Sequence, residues 1–145
     1  MPIQFAGDGV TLTADAEGAW SGPAVLLLHG GGQTRQSWGG TSQVLADAGF
    51  LALTVDQRGH GESDWAADGN YGISAYARDV RAVASELGRP VALVGASLGG
   101  LASLLAVSAL VHGDGQEPGV REHPRSPAPG LPGLPAAVQQ QHRGA

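Results

Sequence analysis

Three short apolar runs limit how this chain can fold: Ala24-Val25-Leu26-Leu27-Leu28, Phe50-Leu51-Ala52-Leu53-Thr54-Val55 and Val91-Ala92-Leu93-Val94. A strand covered on both faces reads as a continuous run, whereas a half-exposed strand alternates. The three runs therefore predict strands buried in a parallel sheet. Helical stretches lie between and after them. Thr41 to Ala48 predicts a helix with Val44, Leu45 and Ala48 on one face and Gly49 as its stop. Ser74 is placed to cap a second helix, in which Tyr76, Val80, Val83 and Leu87 recur at helical spacing before Gly88. Leu98 to Val111 predicts a third, apolar helix. Near the N-terminus, Val10 to Ala14 alternates and is expected to pair with Ile3–Phe5 across Gly7-Asp8-Gly9. Strand–helix alternation of this kind predicts an α/β fold: a doubly wound, parallel sheet of about five strands with flanking helices.

Composition supports one globular domain, followed by a different kind of segment. With 145 residues, 42% hydrophobic and 14% charged, the chain can bury a core. The net charge of −5 argues against general binding to nucleic acid or to an anionic membrane. There is no cysteine, hence no disulfide framework and no Cys-held metal, and a cytoplasmic location is expected. The first residues lack the basic and apolar regions of a secretory signal. Val91 to Val111 is an uncharged 21-residue window, but its three glycines and three serines favour strand, turn and helix over a membrane span. Residues 1–110 are expected to form the domain. Residues 111–145 hold six of the nine prolines and three of the five histidines, and read as a Pro/Gly-rich disordered tail. All eight basic residues are Arg, and the tail's abrupt bias is what out-of-frame reading of a GC-rich gene would produce.

Each buried run ends in a turn with chemical potential. Gly95-Ala96-Ser97-Leu98-Gly99 follows a strand and opens a helix, the context a Gly-x-Ser-x-Gly nucleophile elbow requires. So sharp a turn leaves no room for side chains at 95 and 99. It would present the Ser97 hydroxyl at the carboxyl end of the sheet and the Leu98 N–H where an oxyanion would form. A glycine-rich turn with a serine cap is the rival reading. His29-Gly30-Gly31-Gly32 follows the first buried run, and Gly31 or Gly32 would supply a second oxyanion donor. His29 is expected to brace this loop through backbone hydrogen bonds rather than act as a base. Asp56-Gln57-Arg58-Gly59-His60-Gly61-Glu62-Ser63 follows the second run, and Arg58 is expected to pair with Asp56 or bind loop carbonyls. Asp56, His60 and Glu62 do not have the spacing of a known metal site, so no metal is assigned. Trp38 and Trp65 would either line a pocket or simply pack.

These motifs, in this order, resemble the α/β-hydrolase superfamily, in particular its esterase, epoxide-hydrolase-like and carbon–carbon-bond hydrolase branches, over about residues 3–110. The resemblance implies Ser97 as nucleophile, supported by Gly95, Gly99, His29, Asp56 and Arg58. It implies no cofactor and a small ester-like or related carbonyl substrate. Aspartate stands at the elbow of true epoxide hydrolases, so their chemistry is not expected. The family places its acid and histidine after the nucleophile, in an eight-stranded sheet. Downstream of Ser97 only His112, Asp114, Glu117, Glu122, His123 and His142 are available, and none follows an apolar strand. The chain is therefore expected to stop short of the triad's acid and histidine. It would be a serine hydrolase that is inactive alone. The alternative is a non-catalytic pseudo-hydrolase or interaction module that self-associates through an exposed sheet edge.

Overall fold

The computed structural model describes residues 2–112, with side chains as far as residue 109. It contains five strands: β1 (Ile3–Ala6), β2 (Thr11–Glu17), β3 (Ala24–Leu28), β4 (Leu51–Val55) and β5 (Val91–Gly95). They form one sheet in the order β1-β2-β4-β3-β5. Three helices accompany them: α1 (Gly39–Asp47), α2 (Ile73–Leu87) and α3 (Leu98–His112), with a 3-10 turn at Arg35–Trp38 leading into α1.

The sheet is mixed rather than wholly parallel. β3 pairs in parallel with both β4 and β5. β1 pairs antiparallel with β2, as expected, and β2 antiparallel with β4. The tight turn from Gly7 to Val10, closed by a 2.8 Å bond between the Gly7 N–H and the Val10 carbonyl, can join only antiparallel strands.

Side chains alternate across the central strands and divide the core in two. Leu26, Leu28, Leu51, Leu53 and Val55 face α2 and α3, where Tyr76, Val80, Val83, Ala102 and Ala106 meet them. Val25, Leu27 and Ala52 face the other way, against Leu45 of α1 and against Trp38 and Phe50. Leu26, Leu27, Leu51 and Leu53 are each 0% exposed, which accounts for the unbroken runs.

Three local expectations are corrected. α1 turns Ser42 and Leu45 inward and leaves Val44 67% exposed and Ala48 exposed, so of the face assigned to this helix Leu45 alone packs on the sheet. Gly72, not Ser74, is the N-cap of α2, and it receives no side-chain cap bond. β5 is only partly buried: Val91 and Leu93 pack on the core, while Ala92 and Val94 lie on the face that α1 does not reach. On α3, Leu101, Leu104 and Val107 are 58%, 72% and 47% exposed. α3 also continues to His112, two residues past the expected end of the domain. The proposed tail, with Asp114, Glu117, Glu122, His123 and His142, lies outside the described residues. Among the described residues no helix is long and apolar enough to cross a membrane.

Candidate active site

Register brings the three motif loops together. Leu28 is level with Val55 on one side and with Gly95 on the other. Because these strands are parallel, the segments beginning at His29, Asp56 and Ala96 leave the same edge of the sheet side by side.

The elbow is held by backbone. The Ala96 N–H donates to the Leu28 carbonyl (3.1 Å) and the Gly99 N–H to the Ala96 carbonyl (3.0 Å). Ser97 has φ +50°, and among the described residues it is the one non-glycine with positive φ. Such a conformation costs on the order of 1–3 kcal/mol and persists only where its surroundings impose it. The flanking glycines are a steric necessity. A Cβ on Gly95 would lie 2.4 Å from the Gly99 carbonyl carbon, and one on Gly99 would lie 2.3 Å from the Leu28 oxygen. Ser97 is exposed. Leu98 is the first residue of α3, so its N–H has no acceptor within the helix.

The glycine loop lies against this elbow. A Cβ built on Gly30 would be 3.6 Å from the Ala96 carbonyl, and one on Gly31 would be 4.0 Å from Leu98 Cδ2. The Gly30 N–H donates to Gln33 Oε1 (3.0 Å), and the Gln33 N–H returns to the Gly30 carbonyl (3.1 Å). The Gly32 N–H donates to His60 Nε2 (3.1 Å). Of the three glycines, only Gly31 has an N–H without an acceptor among the described residues.

His29 sits at the floor of the site, fully buried. Its Nε2 accepts from the Gln57 N–H (3.1 Å), so Nδ1 carries the proton and donates to the Gly30 carbonyl (2.8 Å). The Gln57 side-chain amide donates in turn to the His29 carbonyl at 2.6 Å. Burial pushes the His29 imidazole below its ordinary value of 6.5, although the Gly30 carbonyl opposes the shift. The folded protein therefore resists a proton that the unfolded chain takes up as pH falls through 6.5. This contribution is fully present above 6.5 and is lost as pH drops through the folded-state value, at a slope of at most about 1.4 kcal/mol per pH unit. Urea unfolding at about pH 7.5 and about pH 5.5 should show a larger loss of stability in the wild type than in His29→Asn. Equal losses would contradict this account of His29.

Of the two alternatives expected, Arg58 binds loop carbonyls and does not pair with Asp56. Its guanidinium grips Asp79 of α2 through two bonds of 2.7 Å, and it also donates to the carbonyls of Asn70 (3.0 Å) and Asp8 (2.9 Å). The bond to Asp79 raises the Arg58 pKa, and burial opposes it. Asp56 belongs instead to Arg35, whose backbone N–H donates to its Oδ1 (2.7 Å) and whose guanidinium bonds its Oδ2. Arg35 also bonds Asp15 and Glu62. Both pairings tie loops together across the site. Asp79 had a visible signal, a carboxylate set between Tyr76 and Val83 on an apolar helical stripe. Arg35, directly after a glycine loop, had none. Trp38 packs beneath the sheet, while Trp65 is 77% exposed. Among the described residues no three His, Cys, Asp or Glu side chains are grouped to hold a metal.

A mixed sheet with a strained serine turn at the carboxyl end of its parallel strands defines a hydrolase-like scaffold. The α/β-hydrolase fold family model matches residues 23–112, more than half of the chain, and the chain belongs to that family. Esterase Rv0045c of Mycobacterium tuberculosis is 41% identical over 88 residues, covering 59% of this chain and 28% of that protein. The solved structure of the hypothetical protein PA1622 of Pseudomonas aeruginosa PAO1 matches with a TM-score of 0.69 at 32% identity, over 76% of this chain and 39% of that one. A putative epoxide hydrolase of Klebsiella pneumoniae matches with a TM-score of 0.68 at 26% identity, over 75% and 37%. The chain spans 28% to 39% of the length of these three proteins.

Proposed function

We propose that this chain carries the nucleophile half of a serine hydrolase acting on a small ester-like substrate. The observation that carries the reading is the strained, exposed Ser97 at the N-terminus of α3, next to Leu98, which lies beside Gly31. The Ser97 oxygen attacks the substrate carbonyl carbon, and the carbonyl electron pair moves onto its oxygen. The N–H groups of Leu98 and Gly31 receive that charge; the Gly32 N–H, already given to His60, is the weaker candidate. Collapse expels the alcohol and leaves an acyl-serine, which water then hydrolyses.

The attack also needs a base for the Ser97 proton. His29 and His60 are each engaged at both ring nitrogens, so among the residues with described side chains no imidazole is free to take it. The family order puts the acid and histidine later in sequence, and we assign them to a part of the enzyme beyond α3. The chain is then expected both to label slowly at Ser97 and to turn over slowly. Removal of the triad base typically leaves about 10³–10⁴-fold acceleration over water. A fluorophosphonate probe should add one phosphonyl group to the 145-residue chain and none to Ser97→Ala. Labelling that survives Ser97→Ala would overturn the reading.

The exposed Val94, Leu101, Leu104 and Val107 favour a second reading, an interaction module that self-associates through β5 and α3. That reading expects a folded, associated chain inert to the same probe.

A further inference from the structure

We propose that His60 is a positioning residue for the oxyanion site: by holding the Gly32 N–H it leaves the Gly31 N–H as the loop's available donor. The proposal rests on the serine-hydrolase reading and adds to it the residue that sets the glycine loop.

Hydrogen-bond chemistry fixes the imidazole's state. His60 Nδ1 lies 2.9 Å from the Arg58 carbonyl, which can only accept, so Nδ1 carries the proton. His60 Nε2 is then a lone-pair acceptor, and it lies 3.1 Å from the Gly32 nitrogen, which can only donate. The reversed tautomer would set two donors at Gly32 and two acceptors at Arg58.

The ring is held on several sides. The His29 ring lies 5.0 Å away and the edge of Tyr76 meets it at 6.5 Å. Its acceptor, the Arg58 carbonyl, is steadied by the buried Arg58–Asp79 pair. A chain of bonds therefore runs from α2 through Arg58 and His60 to Gly32.

At the other end, Gly31 and Gly32 are the two inner residues of the turn closed by the Gln33 N–H and the Gly30 carbonyl, and among the described residues His60 is the one side chain bonded to Gly32. Gly32 has φ +76°, and a Cβ built on it would meet no atom within 4 Å. Three successive glycines sample far more conformations than other residues would, so a loop of this composition needs a tether to hold one donor geometry. Gln33 tethers Gly30, and His60 tethers Gly32 from 28 residues away. Gly31 lies between them, beside Leu98.

The test uses the full 145-residue chain labelled with ¹⁵N. A nitrogen–nitrogen coupling across the Gly32 N–H···Nε2 bond of His60 is expected, together with slow exchange of the Gly32 amide. His60→Phe keeps a ring but removes the acceptor. It should abolish the coupling, speed Gly32 exchange at least about tenfold, and slow fluorophosphonate labelling of Ser97 about tenfold, since small misplacements at a reacting centre carry costs of that order. His60→Gln, whose amide oxygen can accept from Gly32, should restore labelling to within about threefold of wild type. This rescue separates positioning from a general loss of folding.

Absence of the coupling, or full-rate labelling in His60→Phe, would overturn the assignment of His60 while leaving the serine-hydrolase reading intact. A wild-type chain that shows the coupling but never labels at Ser97 would overturn that reading, and the oxyanion role of His60 with it.

Discussion

Replacing Arg58 with Met should lower the unfolding free energy by about 3–5 kcal/mol, a large share of a small domain's stability. Arg58 is 2% exposed and Asp79 is 4% exposed. Without the guanidinium, Asp79 keeps the Asp8 N–H (2.8 Å) as its one hydrogen bond shown among the described residues to balance a buried charge. The Asn70 and Asp8 carbonyls lose donors as well. Asp79→Leu should cost a similar amount, because it strands the guanidinium. The double variant should be more stable than the sum of the two losses implies, since neither unpaired charge remains. It should not regain wild-type stability, because the two carbonyls and the Asp8 N–H stay unpaired. Urea unfolding of the four proteins gives the coupling directly. Single losses below about 1 kcal/mol, or simple additivity, would show that the pair does not hold the loops as described.

Gly99→Ala should be of comparable severity, at about 3 kcal/mol or more. The new Cβ would sit 2.3 Å from the Leu28 oxygen, 2.6 Å from its carbonyl carbon and 2.7 Å from its Cβ. Those atoms cannot yield easily, because β3 is hydrogen-bonded on both sides. Relief would have to come from the elbow, so the substitution should also suppress labelling of Ser97. Gly40→Ala is the natural control. It lies in α1, where a Cβ meets nothing within 4 Å, and should stabilise by about 0.5–1 kcal/mol. A Gly99→Ala chain as stable as wild type would mean that the elbow is looser than its geometry requires.

Much of this architecture was legible in the order of residues. The apolar runs located β3, β4 and β5 to within a residue; β3 and β4 are apolar because both their faces are covered, whereas β5 keeps Ala92 and Val94 exposed. The elbow was legible for a different reason: few contexts other than a backbone-to-backbone approach demand glycine on both sides of a serine. What stayed hidden was tertiary. Whether Arg58 would meet Asp56 or Asp79 depended on how α2 packs over the loop after β4. The role of Arg35 depended on the loop after β3 folding back onto Asp56. Val44 was misassigned because α1 covers only the centre of the sheet, so its inward stripe is narrow enough to consist of Ser42 and Leu45. Gly31 and Gly32 looked equivalent in sequence; in the structure Gly31 lies beside Leu98, and the N–H of Gly32 is taken by His60.

The central claim is that the bend at residue 97 offers a serine oxygen to a site flanked by the N–H groups of Leu98 and Gly31. A crystal structure of the chain after reaction with a fluorophosphonate tests this most directly. The account predicts phosphorus bonded to Ser97 Oγ, with the phosphoryl oxygen about 2.7–3.1 Å from both the Leu98 and Gly31 nitrogens. An adduct on another residue, or a phosphoryl oxygen turned to solvent away from both amides, would contradict it.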